Sequence, residues 1–217
     1  MSHCFATFQA TKCVRVIATR HPPIALFERI AAAKDSEALN ELESAFSPHY
    51  AETMLLPSLP KSAWVCGLGA GYIMAPFVYM SPTRFSNGTF GAFYAGLDEE
   101  TAIREVAYHR GLFMAATSES ATVLEEQILQ AKVTAELVDI RGQPAVMAGL
   151  YHPSDYSQSQ AFGVSVFAEG HAGITFTSVR RPEGNCVAVY RPKAISDCRQ
   201  MRPLRYVWDG RRIAGWA

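Results

Sequence analysis

The chain has 217 residues, of which 49% are hydrophobic and 18% charged, with twenty Lys and Arg against twenty Asp and Glu. The apolar content excludes intrinsic disorder, the lack of a sustained period excludes collagen-like and coiled-coil architectures, and the charge balance removes a whole-molecule basic field for gripping nucleic acid. The length suits one domain able to bury about 70% of the surface its unfolded form exposes, with no need of a metal or disulfide.

Residues 13–18 (CVRVIA) alternate as a short strand that ends at His21-Pro22-Pro23. From residue 24 to about 46 the period turns helical, with Leu26, Ile30 and Ala33 on one stripe and Leu39, Leu42 and Phe46 on the next. Asp35 or Ser36 caps the second helix, so residues 24–60 read as a helical insertion over the core. Residues 62–83 carry no charge, which is near membrane-spanning length, but Gly67, Gly69, Gly71, Pro76 and Pro82 interrupt them. Buried loop and strand are expected there, and no membrane association. GLGAG at 67–71 lacks the G-x-G-x-x-G spacing of a dinucleotide loop and reads as a flexible turn near a core wall.

Residues 90–96 (FGAFYAG) predict a strand, and Asp98 predicts the N-cap of a helix with acids in its first turn and His109-Arg110 in its last, stopped by Gly111. A strand over 133–140 follows, then a helix from Ser157 to about Glu169 that ends at Gly170. Strands at 173–179 and 186–190 flank an Arg181-Pro-Glu-Gly-Asn turn. The fold class is α+β, a mixed sheet core with flanking helices that lacks the regular alternation of a doubly wound fold. From Arg180 onward nine basic residues stand against three acidic ones. A solvated face is the simpler reading of that surplus, and a surface for phosphate or an acidic partner the other. The five cysteines are odd in number and widely spaced, with no C-x-x-C. They argue against a disulfide framework or zinc ribbon, and with no apolar signal block at the N-terminus they point to the cytoplasm.

Two arrangements break this pattern. Glu105 lies at the border of the apolar stripe of its helix, and the strand-to-helix connection lets it share a pocket with Tyr94. Periodicity alone favours an exposed carboxylate paired with Arg104 or Arg110. Ser178 ends the row Ile174, Phe176, Ser178 on one face of a strand, where a hydroxyl needs a partner. No G-x-S-x-G elbow surrounds it, so it does not read as a hydrolase nucleophile.

Together these stretches resemble the RES domain. The likeness is carried by Arg84-Phe-Ser-Asn-Gly, Phe90-Gly-Ala-Phe-Tyr94-Ala and Glu-Thr-Ala-Ile-Arg-Glu105. It continues through Tyr156-Ser-Gln-Ser-Gln160, Gly173-Ile-Thr-Phe-Thr-Ser178-Val-Arg180, Asn185-Cys-Val-Ala-Val-Tyr-Arg-Pro192 and Tyr206-Val-Trp-Asp-Gly210, with Arg15 matching an early Arg. It spans about residues 13–213. The resemblance implies a single RES-type domain over 1–217, similar to the ADP-ribosyltransferase fold, acting as the toxin of a RES–Xre toxin–antitoxin system. Such an enzyme destroys NAD by hydrolysis or phosphorolysis, or, in the alternative, transfers ADP-ribose to a protein. NAD is then substrate and no cofactor or metal is implied. The partners are NAD and an Xre-type antitoxin, with no direct contact to nucleic acid. Arg15 and Arg84 are the implied grip on the pyrophosphate, Tyr94 the stacking ring, Glu105 the carboxylate facing the ribose, and Ser178 a hydrogen-bonding group to carboxamide or phosphate. A non-catalytic binding domain using the basic C-terminal region, which is also a candidate antitoxin surface, is the reading from another class.

Overall fold

A computed structural model describes residues 3–19, 27–28, 60–142 and 147–217. The expected helical insertion at 24–60 lies almost wholly outside the described residues.

The fold is α+β and turns on two long strands. β1 (Phe5–Ala18) runs antiparallel to β5 (Thr122–Asp139), from Phe5 opposite Val138 to Ala18 opposite Glu126, with an irregularity between Phe8 and Thr11. Short strands follow in chain order: β2 (Pro82–Thr83), β3 (Ser86–Asn87), β4 (Phe93–Gly96), β6 (Gly173–Thr177) and β7 (Asn185–Val189). β8 (Ile195–Trp208) and β9 (Ile213–Trp216) complete the sheet, whose order is β1-β4-β7-β6-β5-β8-β9. Because β1 pairs with both β4 and β5, the first five of these strands close into a ring, while β8 and β9 extend from the other side of β5. The β5–β6 pairing is parallel and the other pairings antiparallel, which makes the sheet mixed. β2 and β3 form a separate hairpin.

The ring explains why the strands near the C-terminal end read as unbroken apolar runs. In β7, Val187 and Val189 pack into one core cluster with Phe93, Leu129 and Leu137, while Cys186 and Ala188 face a second one with Phe85, Val138, Ile174 and Phe176. A strand buried on both faces loses the polar half of its alternation.

Three helices have their bounds among the described residues. α1 (Ala70–Val78) occupies the stretch where loop and strand are expected, and so corrects that reading. Its buried residues Ala70, Ile73, Met74, Phe77 and Val78 keep helical spacing. The glycines before it form the turn into it, with Gly69 as N-cap at φ 79, and Pro76 falls near the end, where one lost N–H is tolerable. α2 (Glu99–Ala115) starts at the Asp98 N-cap, whose Oδ1 accepts from the Thr101 amide at 2.9 Å. It runs through Gly111 for one more turn instead of stopping there. One glycine costs a helix about 1 kcal/mol, and the added turn buries Met114. α3 (Ser157–Ala168) follows its sequence pattern closely. β1, β5 and β4 differ from the expected spans, and β8 and β9 were not legible at all, since two register irregularities, Pro203 and a run of exposed basic residues erase their alternation. Among the described residues no helix is long and apolar enough to cross a membrane.

Candidate active site

The connection β4–Leu97–Asp98–α2 places Tyr94 and Glu105 on adjoining walls of one cavity of about 400 Å³, within the range typical of small-molecule sites. Val14, Arg15 and Val16 of β1 form another wall, Thr83 and Arg84 at the β2–β3 hairpin a third, and Tyr156 and Phe176 close the rest.

Glu105 is half-buried and accepts a hydrogen bond on Oε1 from the Ser178 hydroxyl at 2.6 Å. Periodicity had favoured an arginine partner, and the structure corrects that: Arg104 pairs with Glu100 and Arg110 with Glu126, each at 2.6 Å. Ser178 is 3% exposed and does not line the cavity. Its Oγ also accepts from the Arg180 and Arg181 amides at 3.1 and 2.9 Å, so the turn after β6 fills its acceptor capacity and directs its proton at Glu105. Arg181 holds this turn against α2 through Asp98 Oδ1 at 2.5 Å and Thr101 Oγ1 at 2.9 Å. Burial pushes the Asp98 carboxyl up, but the Thr101 hydrogen bonds and the Arg181 guanidinium outweigh it and hold it below its ordinary value.

Arg84 is 8% exposed and sits at the hairpin tip. Its Nη1 donates to the Leu150 and His152 carbonyls at 3.1 and 2.9 Å, and its guanidinium lies 4.4 Å above the Tyr156 ring. The Tyr94 hydroxyl accepts from the Phe85 amide at 2.8 Å and lies 3.0 Å from Thr83 Oγ1, so the phenol ties together the residues on either side of Arg84. Burial pushes the Tyr94 phenol up to about 12, so it is protonated at neutral pH. Arg15 donates from Nη1 to the Tyr94 carbonyl at 2.9 Å and lies over the Phe93 ring. Burial lowers its pKa, yet a guanidinium remains charged. Among the described residues its Nε is buried without a hydrogen-bond partner.

The five residues singled out from sequence therefore meet at one place, four on the cavity wall and Ser178 directly behind Glu105. Sequence reasoning gave no role to His109 or Tyr156. His109 stands one turn beyond Glu105, a spacing that puts both on one helix face. Loss of solvation lowers its pKa, with Arg180 and Arg84 adding to this and Glu105 opposing it. Tyr156 comes from the segment before α3 and opens the Tyr156–Gln160 stretch that carries part of the family likeness.

A family model described as the RES domain matches residues 62–209. The chain belongs to the RES domain family. Arg84, Tyr94, Glu105 and Ser178 lie inside the matched segment, whereas the β1 wall with Arg15 precedes it. This RES protein is 29% identical over 208 residues to the "Uncharacterized protein y4oC" of Sinorhizobium fredii, covering 92% of this chain and 84% of that one. It is also similar to the crystal structure of the M. tuberculosis MbcT–MbcA toxin–antitoxin complex, at a TM-score of 0.44 and 10% identity over 94% of this chain and 87% of that chain.

Proposed function

We propose that this RES protein is a toxin that cleaves the nicotinamide–ribose bond of NAD and that a cognate antitoxin neutralises it. The observation that carries the reading is the Ser178–Glu105 hydrogen bond of 2.6 Å at the wall of a cavity that also holds two guanidinium groups and a tyrosine ring. Planar guanidinium groups grip phosphate oxygens through paired N–H donors. Among the described residues Arg84 donates from Nη1 to protein carbonyls and Arg15 from one Nη, and the remaining guanidinium donors on each are offered to the pyrophosphate. The bond between the ribose C1 and the nicotinamide nitrogen breaks with its electron pair leaving on the ring, so a cationic ring departs neutral. The ribose is left with oxocarbenium character, as in other glycosidic cleavages. The Glu105 carboxylate stabilises that charge and orients the incoming oxygen. Attack by water gives ADP-ribose and a proton; attack by phosphate gives the 1-phosphate. Ser178 acts through Glu105, holding the carboxylate in one orientation.

The test is nicotinamide release from NAD by the purified protein, with and without inorganic phosphate, beside Glu105→Ala. Release is expected from the wild type and a loss of about a hundred- to a thousandfold from the variant, whose fold persists because a helix accepts Ala. Release equal in both proteins overturns the carboxylate's role. No release from either, with ADP-ribose appearing on an added protein fraction, assigns the site to protein ADP-ribosylation instead.

A further inference from the structure

Outside the cavity, three side chains converge where β1 begins and α3 ends. His3 Nδ1 lies 3.4 Å from Glu169 Oε2, and His171 Nε2 lies 3.2 Å from the same oxygen. One ligand atom from each of the three side chains lies within 4.8 Å of the other two. A tetrahedral ion with bonds of 2.0–2.2 Å spaces its ligand atoms about 3.3–3.6 Å apart, so two of the three edges already stand close to that spacing. We propose that His3, Glu169 and His171 bind a divalent first-row transition metal of the zinc class. Two imidazoles and one carboxylate make the borderline nitrogen and oxygen donor set that such ions prefer to calcium or magnesium, which take oxygen.

The backbone holds these ligands in place before any ion arrives. α3 closes with the Gly170 amide donating to the Phe167 carbonyl at 3.1 Å and the His171 amide to the Val166 carbonyl at 3.2 Å. Gly170 sits at φ 87 between them, a left-handed helix ending that glycine adopts without strain. That ending places Glu169 and His171 two residues apart across a sharp turn. On the other side, the Asp139 amide donates to the Cys4 carbonyl at 2.8 Å and Phe5 pairs with Val138, which seats His3 at the head of the β1–β5 ladder. The Phe5 ring packs 5.2 Å from His171, and Phe162 packs 6.0 Å from His3, so an apolar wall backs the cluster. The side chains remain 18%, 49% and 25% exposed for His3, Glu169 and His171, leaving an open side for water as a further ligand. None of the three lines the cavity. The metal is a clamp between strand β1 and the α3–β6 turn, and it takes no part in the reaction.

The test uses the full chain, stripped with a chelator and titrated with Co²⁺ by visible absorption and with Zn²⁺ by calorimetry. One equivalent of Co²⁺ is expected to give a saturable ligand-field band with no thiolate charge-transfer band, displaced by Zn²⁺. His171→Ala and Glu169→Gln each weaken binding at least about tenfold, while Cys4→Ser leaves it unchanged. Zn²⁺ raises the melting temperature of the wild type and of Cys4→Ser, and not that of His171→Ala. No saturable band, a thiolate band, or binding that survives both ligand variants overturns the proposal.

Discussion

At the residue scale, Ser178 and Tyr94 position the groups they touch, and their variants separate that role from simple packing. Ser178→Ala removes the donor that fixes Glu105. Nicotinamide release should fall about 10- to 100-fold in kcat, with KM nearly unchanged, since no substrate contact is lost. Steady-state kinetics on NAD decide this; a rise in KM alone refutes it. Tyr94→Phe deletes an acceptor that holds the Phe85 amide, at a cost of about 1–3 kcal/mol for the group left unpaired. Because that amide neighbours Arg84, KM should rise as well, and urea unfolding beside kinetics measures both effects. Tyr94, Glu105 and Ser178 were legible as polar groups on apolar strands and a helix, whereas Arg15 and Arg84 were marked as site residues by the family resemblance. The direction of the Ser178 hydroxyl was not legible, because it depends on two backbone amides of a turn whose shape no periodicity encodes.

At the element scale, α2 and α3 bring the site together through a cap and a close approach. Asp98 caps α2 and also receives Arg181, so it joins the helix carrying Glu105 to the turn carrying Ser178. Asp98→Ala should cost about 1 kcal/mol for the cap alone, within the range of about 0.5–2 kcal/mol seen for such caps. Its carboxyl lies below its ordinary value in the folded chain. That stability is therefore present above the unfolded carboxyl range near pH 4 and is lost as pH falls through the lower folded value. Urea midpoints taken from pH 7 to pH 3 should show a shallower acid decline in Asp98→Asn than in the wild type. Gly163 of α3 is the second contact. A Cβ there would stand 2.0 Å from the Phe85 carbonyl oxygen, so Gly163→Ala must displace the Arg84 hairpin. An overpacking cost of about 1–3 kcal/mol and weaker NAD binding are expected together, read by thermal melting and by KM. The Asp98 cap was legible because capping is local chemistry. α1 was hidden behind residues that usually break helices, and only its buried i, i+3 and i+4 spacing betrays it.

At the scale of the whole molecule, the ring of strands and one ion pair set the geometry. Arg110 of α2 meets Glu126 of β5 through two hydrogen-bonded contacts of 2.6 and 3.2 Å, and Glu126 is 2% exposed. Arg110→Ala removes one charged partner of a buried carboxylate and should destabilise the fold by about 1–3 kcal/mol. Arg110→Met with Glu126→Leu should cost less than the single change, and equal urea midpoints for the two would refute this account. The α+β class was legible from the intermixed strand and helix patterns, but ring closure was not. It rests on pairings such as Arg15 with Leu129, far apart in sequence and dictated by both partners at once.

β1 makes one pairing with β4, Val14 opposite Gly96, and finds its long partner only at residues 126–138. The cavity walls run from Val14 to Cys186, and Glu105 is held by the Ser178 hydroxyl. During synthesis at about 5–20 residues per second, the earliest-made strand therefore waits on the order of ten seconds or more before its site can exist. A translation product that stops short of Ser178 holds both arginines and Glu105 yet lacks the hydroxyl that hydrogen-bonds the carboxylate, so the full constellation exists only once α3 and β6 have been made and the turn after β6 has formed.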